Sequence, residues 1–358
     1  MIKIRKMCKG FSPDFYYLCG HGTGAASLVY FFNLLGFPVT LWTGFDDGKA
    51  LSVKYPATLH DGSGLKGLTV DRVIKGTRLS YGDNSQKVIQ SIRDPIDTIV
   101  SSMNYYFGVS CCQFNGFTTD LSCFNTELLF NHIKEWLNFS CCFTSTYNGI
   151  QVNHNKIFYM EFNDILADTL HASLVDLCKF LEVSSPTLST DEFKEKCKYK
   201  YNSFINRLWL YQKSCFCGNP QKGMILADIE ITPKFLYEYG RNTWFTSTII
   251  DEVKHNDIEY VLSIRNDLGG SSNAKSWNKQ KRECIKKIID IRLKKFELSL
   301  ELYKKYAMTS EKLIELLRTR QKFYDNLRKK LEYEISMPLK YVPKKVQRWK
   351  NFHSMYSC

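Results

Sequence analysis

The feature that most constrains this chain is a strand that runs directly into a glycine-rich turn and then into a helix. The apolar run Phe15-Tyr16-Tyr17-Leu18-Cys19 reads as a buried strand. It is followed by Gly20-His21-Gly22-Thr23-Gly24 and then by Ala25 to Leu35, where Leu28, Phe31, Phe32 and Leu35 fall at helical spacing before Gly36 as a left-handed cap. Strand, turn and helix in that order open an α/β domain of the nucleotide-binding kind. Glycines let the backbone approach an anion, and the unpaired N–H groups at the start of the helix favour negative charge. The turn is not a Walker A loop, because no Gly-Lys-Ser/Thr follows, and its glycines at 20, 22 and 24 do not spell G-x-G-x-x-G. On these residues alone, a tight structural turn and a phosphate site are equally open.

Further strands are expected at Pro38–Trp42, Leu68–Ile74, Lys87–Ile92 and Lys156–Glu161, with loop over 44–68. Helices are expected from Pro95 through Tyr106, over Thr126–Leu137 and over Leu166–Leu181, the last with Leu170, Leu174, Leu177, Cys178 and Leu181 on one face. This alternation predicts an α/β fold, a parallel sheet flanked by helices.

The most specific segment is Lys87 to Ser101, a strand ending in Arg93-Asp94-Pro95 and a helix with Ser101 eight residues after the arginine. A guanidinium at a strand's carboxyl end can hold a phosphate with a bidentate fork, and Ser101 adds a hydroxyl donor if the helix lies along the ligand. The alternative is that Arg93 pairs with Asp94 or Asp97 and Ser101 merely occupies a polar face.

This segment resembles the 3′-phosphate-binding element of sulfotransferases that use 3′-phosphoadenosine 5′-phosphosulfate (PAPS). The turn at 20–24 stands where that family has its 5′-phosphosulfate loop, and Lys156 to Asp164 with the helix Leu166–Leu181 resembles the family's later strand and helix. The resemblance spans roughly residues 12–185. It implies a P-loop-like sulfotransferase fold with PAPS as donor and a hydroxyl acceptor, a carbohydrate being expected. The implied donor-binding residues are Gly20, His21, Gly22, Thr23, Gly24, Ala25, Arg93 and Ser101. Arg265, in Arg265 to Gly270, stands for the late basic-glycine loop.

The first loop departs from the family pattern Pro-Lys/Arg-Ser-Gly-Thr-Thr. Either His21 or Gly22 takes the basic position. If it is His21, an imidazolium stabilises the leaving phosphate and His21 is the catalytic residue; if it is Gly22, support comes from elsewhere or the donor differs. No general base is evident. Thr77 stands where the family's strand-end His would be, and His60, Asp61 and Asp71 are the other candidates. His132 and His171 read as packing or surface residues.

Charge is distributed unevenly. Lys279 to Lys350 holds 22 Lys and Arg against 9 Asp and Glu, which accounts for the whole net charge of +13. The expected organisation is a nucleotide-binding domain over 1–275 and a basic helical extension over 276–358. Ile285, Ile289, Leu293, Phe296, Leu300, Tyr303 and Ala307 have the spacing of a coiled-coil seam. A second helix, capped by Thr309 or Ser310, carries Leu313, Leu317, Arg320, Tyr324, Leu327 and Leu331, with Arg320 as a mismatch; together they suggest a helical hairpin. Beyond Pro338 an exposed basic-aromatic strip is expected. Such helices suit a solvated face, homo-oligomer formation, or contact with an anionic glycan or membrane surface; no nucleic-acid reader motif is present.

The 13 cysteines have neither the paired C-x-x-C nor the His spacing of a zinc site, so free thiols and no metal are expected. The basic start lacks the apolar core of a signal peptide, and no stretch reaches the roughly 18 apolar residues of a membrane span. A soluble, cytoplasmic protein is the expectation.

Overall fold

A computed structural model describes most fully residues 15–19, 87–106, 156–185 apart from 167, and 307–356, together with the strands given below and single positions between them. Strands β1 (Phe15–Leu18), β2 (Val39–Trp42), β5 (Gly67–Val70), β6 (Lys87–Ile92) and β7 (Ile157–Glu161) form one sheet in the order β2-β5-β1-β6-β7. Every neighbouring pair in it is parallel. Within the expected loop 44–68, β3 (Phe45–Asp46) and β4 (Lys49–Ala50) make a short antiparallel pair.

Alternation along the strands divides the core in two. Tyr16, Leu18, Val88, Ile92, Ile157 and Tyr159 face one layer, while Phe15, Tyr17, Ile89 and Met160 face the other. Both faces of a parallel sheet are covered, which is why β1 is buried at all four positions. The second layer is packed by Leu28, Phe31 and Phe32 after the glycine turn and by α2 (Leu170–Leu181), whose Leu170, Leu174, Leu177, Cys178 and Leu181 are the expected buried face. Phe32 meets Phe15 and Tyr17 at ring separations of 5.6 and 5.2 Å. A 3₁₀ turn, Phe162–Ile165, follows β7, and α2 begins at Leu170 rather than at the expected Leu166.

The first layer contains α1 (Pro95–Tyr106), matching its expected bounds. Against it and the sheet lie α3 (Ser310–Arg318), α4 (Gln321–Tyr341), α5 (Pro343–Val346) and α6 (Lys350–Ser354). Leu313, Leu317, Tyr324, Leu327, Leu331, Val346, Trp349 and Phe352 belong to the same cluster as Tyr16 and Val88. For residues 307–356 the expected apolar seam exists, and it packs against the sheet and α1. In the strip beyond Pro338 the basic residues Lys340, Lys344, Arg348 and Lys350 are exposed as expected, but the aromatics Trp349 and Phe352 are buried, Trp349 retaining only 1% of its surface. The Arg320 mismatch falls between two helices, where its side chain pairs with Glu127 and lies 4.0 Å over the Phe130 ring. Thr309 is the residue that caps α3, accepting from the Lys312 N–H. The seam residues proposed between 285 and 303 lie outside the described residues.

Two local features fix this layer. Pro338 cannot donate to the Glu334 carbonyl one turn back; the Thr144 hydroxyl does so instead, at 2.7 Å. Asn104 of α1 makes a reciprocal pair with the backbone of Met308, both bonds being 2.9 Å.

A four-stranded antiparallel sheet, unforeseen in the sequence, comprises β8 (Leu210–Gln212), β11 (Ile229–Pro233), β12 (Ser247–His255) and β13 (Ile258–Arg265) in the order β12-β13-β11-β8. Its β12–β13 pair shifts register between Ile249 and Asp251, the mark of a bulge. β9 (Phe216–Cys217) and β10 (Met224–Ile225) pair separately. Among the described residues, Cys19, Cys141 and Cys178 are buried free thiols, and no helix is long and apolar enough to cross a membrane.

Candidate functional site

β1 and β6 are neighbours in the sheet, yet the chain leaves them in opposite directions. After β1 it passes to β2 and β5 on one side; after β6 it passes to β7 on the other. Connections that diverge from the carboxyl ends of adjacent parallel strands leave a crevice between them, the usual ligand position in open α/β sheets. The glycine turn follows β1 and Arg93 follows β6, so sheet topology brings the two sequence-distant motifs to one place.

The turn is shaped by packing. Gly22 and Gly24 have φ of +86° and +88°, a region in which a side chain is strained. A β-carbon on Gly22 would lie 2.7 Å from the Thr98 carbonyl oxygen and 2.8 Å from Ser102 Oγ, both on α1. On Gly24 it would lie 2.7 Å from Ile165 Cδ1 and 3.1 Å from Phe162. Between them Thr23 turns inward, its hydroxyl 2.8 Å from that of Ser91 on β6. The Leu28 N–H then bonds the Gly24 carbonyl to open the next helix.

Arg93 completes the arrangement. Its Nη1 donates to the Gly22 carbonyl at 2.8 Å, and the guanidinium carbon sits 3.9 Å over the Phe162 ring. The side chain is half-buried. A planar cation held by a carbonyl on its edge and an aromatic ring on its face is fixed in orientation, as anion recognition requires.

The two acidic neighbours serve a different purpose. Asp94 Oδ1 accepts from Ile96 N at 2.9 Å, capping α1, while Oδ2 accepts from Asn351 N and Phe352 N, each at 3.0 Å, capping α6. Burial pushes this carboxyl up to about 6, against the lowering effect of the Phe352 N–H. Asp97 Oδ1 accepts from Ser310 Oγ at 2.7 Å and Asn351 Nδ2 at 2.6 Å. At the end of β7, Glu161 is buried and accepts from Asn163 N at 2.9 Å. Desolvation raises its pKa.

The structure thus brings Gly22, Thr23, Gly24 and Arg93 together. Ser101 is half-buried on α1, but the residues of that helix that meet the turn are Thr98 and Ser102. Gly20, His21 and Ala25 lie outside the described residues, as do His60, Asp61, Asp71, Thr77 and His132. Arg265 ends β13, and its side chain and the loop after it also lie outside them. His171 is on α2, in the layer across the sheet from α1. Sequence reasoning missed Ser91, Ser102 and Phe162; only Phe162, an aromatic at the end of β7, had a visible signal. Among the described residues no group of three or more His, Cys, Asp or Glu is placed to hold a metal ion.

No curated protein matches the chain. The sulfotransferase domain matches residues 71–210, a span that contains β6, α1, β7 and α2. The segment that supplies Arg93 and the helix beside it is therefore similar to a sulfotransferase domain.

Proposed function

We propose that the chain transfers a sulfuryl group from PAPS to a hydroxyl acceptor, with the donor in the crevice at the carboxyl ends of β1 and β6. The observation that carries this reading is the Arg93 guanidinium held 2.8 Å from the Gly22 carbonyl where the two connections diverge. The residues there fit an anionic donor: a fixed cation stands beside a turn at a helix start. Arg93 and Ser101 bind the 3′-phosphate, and the backbone of 20–25 binds the 5′-phosphosulfate. Thr23 contributes by locking the turn, because its hydroxyl faces Ser91.

In the transfer, the acceptor oxygen bonds to sulfur while the bond from sulfur to the 5′-phosphate oxygen breaks, and the acceptor proton passes to a base. Charge builds on the departing phosphate, so positioning and a cation supply most of the catalysis. His21 is assigned the cation's place; Gly22, whose missing side chain is demanded by α1, has none to offer. The Lys and Arg excess over 279–350 favours an acidic carbohydrate as acceptor. Homo-oligomer formation through the 285–307 seam belongs to the same reading.

A second reading, a transferase using another phosphorylated donor, is favoured by one observation, the glycine at 22 in place of a basic side chain. Thermal shift separates the two. Adenosine 3′,5′-bisphosphate at about 100 times its Kd should add about 2.7 kcal/mol of stability, while nucleoside diphosphates and cytidine nucleotides add nothing. A shift only with the latter favours the second reading. If no nucleotide raises the melting temperature, while truncation at about residue 275 abolishes partner binding or oligomerisation, a non-catalytic binding or scaffold role is favoured.

A further inference from the structure

Several polar contacts of the C-terminal segment fall toward the carboxyl ends of β6 and β7, the edge on which the proposed donor site lies. Besides the Asp94 cap, Lys345 Nζ donates to the Tyr159 carbonyl at 2.7 Å and to Asp164 Oδ2 at 2.5 Å. Asp164 Oδ2 also accepts from Glu161 N at 2.8 Å, so one lysine braces the turn that carries Phe162. Asp94 and the 162–165 turn are therefore both held by this segment, and Asp94 and Phe162 flank Arg93, one along the chain and one across its guanidinium face. Within α6 no side chain caps the helix start, and the Asp94 carboxylate takes that place from 257 residues away in sequence.

We propose that residues 343–356 act as a positioning clamp for the donor site. Docking of α5 and α6 fixes the backbone of Arg93 from one side and the Phe162 ring from the other, so docking and nucleotide occupancy are thermodynamically coupled. Arg93 and Phe162 touch each other, and each is covalently next to, or hydrogen-bonded through, a group that the clamp holds. Coupling of this kind is reciprocal: whatever the clamp adds to nucleotide affinity, the nucleotide adds to clamp docking. Asp94, Lys345 and Asn351 are positioning residues here, acting through Arg93 and the 162–165 turn. The inference rests on the proposed nucleotide site.

Hydrogen exchange on the full chain, with and without adenosine 3′,5′-bisphosphate, tests it, since exchange reports local opening. The amides of 350–356 should exchange more slowly when the nucleotide is bound, and Asp94→Asn should abolish that protection. Calorimetry should show the bisphosphate bound about fivefold more weakly by Asp94→Asn, about 1 kcal/mol, the scale of a lost helix cap. Asn351→Ala, which keeps the Asp94 carboxylate, provides a milder variant and should weaken binding about twofold. Bisphosphate binding with unchanged exchange over 350–356 would overturn the clamp and leave the proposed function intact. Absence of any bisphosphate binding by the unaltered chain would overturn both.

Discussion

The β6–α1 unit that follows the glycine turn, and the C-terminal helices within 307–356, share one core cluster but announce themselves differently. In the first region the secondary structure follows from neighbours in sequence. Strand alternation, a proline at the start of α1 and glycines at positive φ all point to one local structure. In the second, an amphipathic face is equally evident, yet an amphipathic helix states only that it needs a partner. A sister helix and a distant sheet satisfy it alike. Local pattern therefore fixes elements, whereas partners are set by topology.

The sharpest way to break this comparison is to remove the largest side chain that joins the two regions. Trp349→Ala should cost about 3–5 kcal/mol, and chemical denaturation should show one transition in which sheet and C-terminal helices melt together. An independent tail would leave the main transition unmoved.

Next in size is the pH dependence of the Asp94 cap. Its folded pKa of about 6 lies above the ordinary value of 3.8 because burial opposes the charge, with Asp97 adding to it. A raised carboxyl holds its proton more tightly when folded. Its contribution to stability is fully present below the ordinary value and is lost as pH rises through about 6. Denaturation between pH 4 and 7 should show this loss, at most about 3 kcal/mol, and Asp94→Asn should flatten it.

Gly22→Ala should cost about 2 kcal/mol from the left-handed backbone and the contact with the Thr98 carbonyl, and it should weaken any anion bound at the turn. Thr309→Ala, which removes the α3 cap, should cost about 1 kcal/mol. That loss should appear in the common transition if the regions are one core.

Much of the parallel sheet was legible. Lys87–Ile92 and Pro95–Tyr106 occur with their expected bounds, because a two-residue alternation gives way abruptly to Pro at a first helical turn. The joining of Arg93 to the glycine turn followed from the resemblance and is carried physically by strand order, which no local pattern encodes. The inward face of Thr23 was not legible, because its partner Ser91 is 68 residues away. Nor were the roles of Asp94 and Asp97, which looked like partners for Arg93 and instead hold α3 and α6. Of the unread antiparallel sheet, β8 has only three residues and the β12–β13 pairing is interrupted by a bulge.

The central claim is that the guanidinium at the end of β6 binds an anionic nucleotide phosphate. Isothermal titration of adenosine 3′,5′-bisphosphate into the unaltered chain and into Arg93→Ala tests it most directly. The account predicts binding weakened at least tenfold, about 1.4 kcal/mol, with the fold retained. Equal affinity in the two proteins would contradict it.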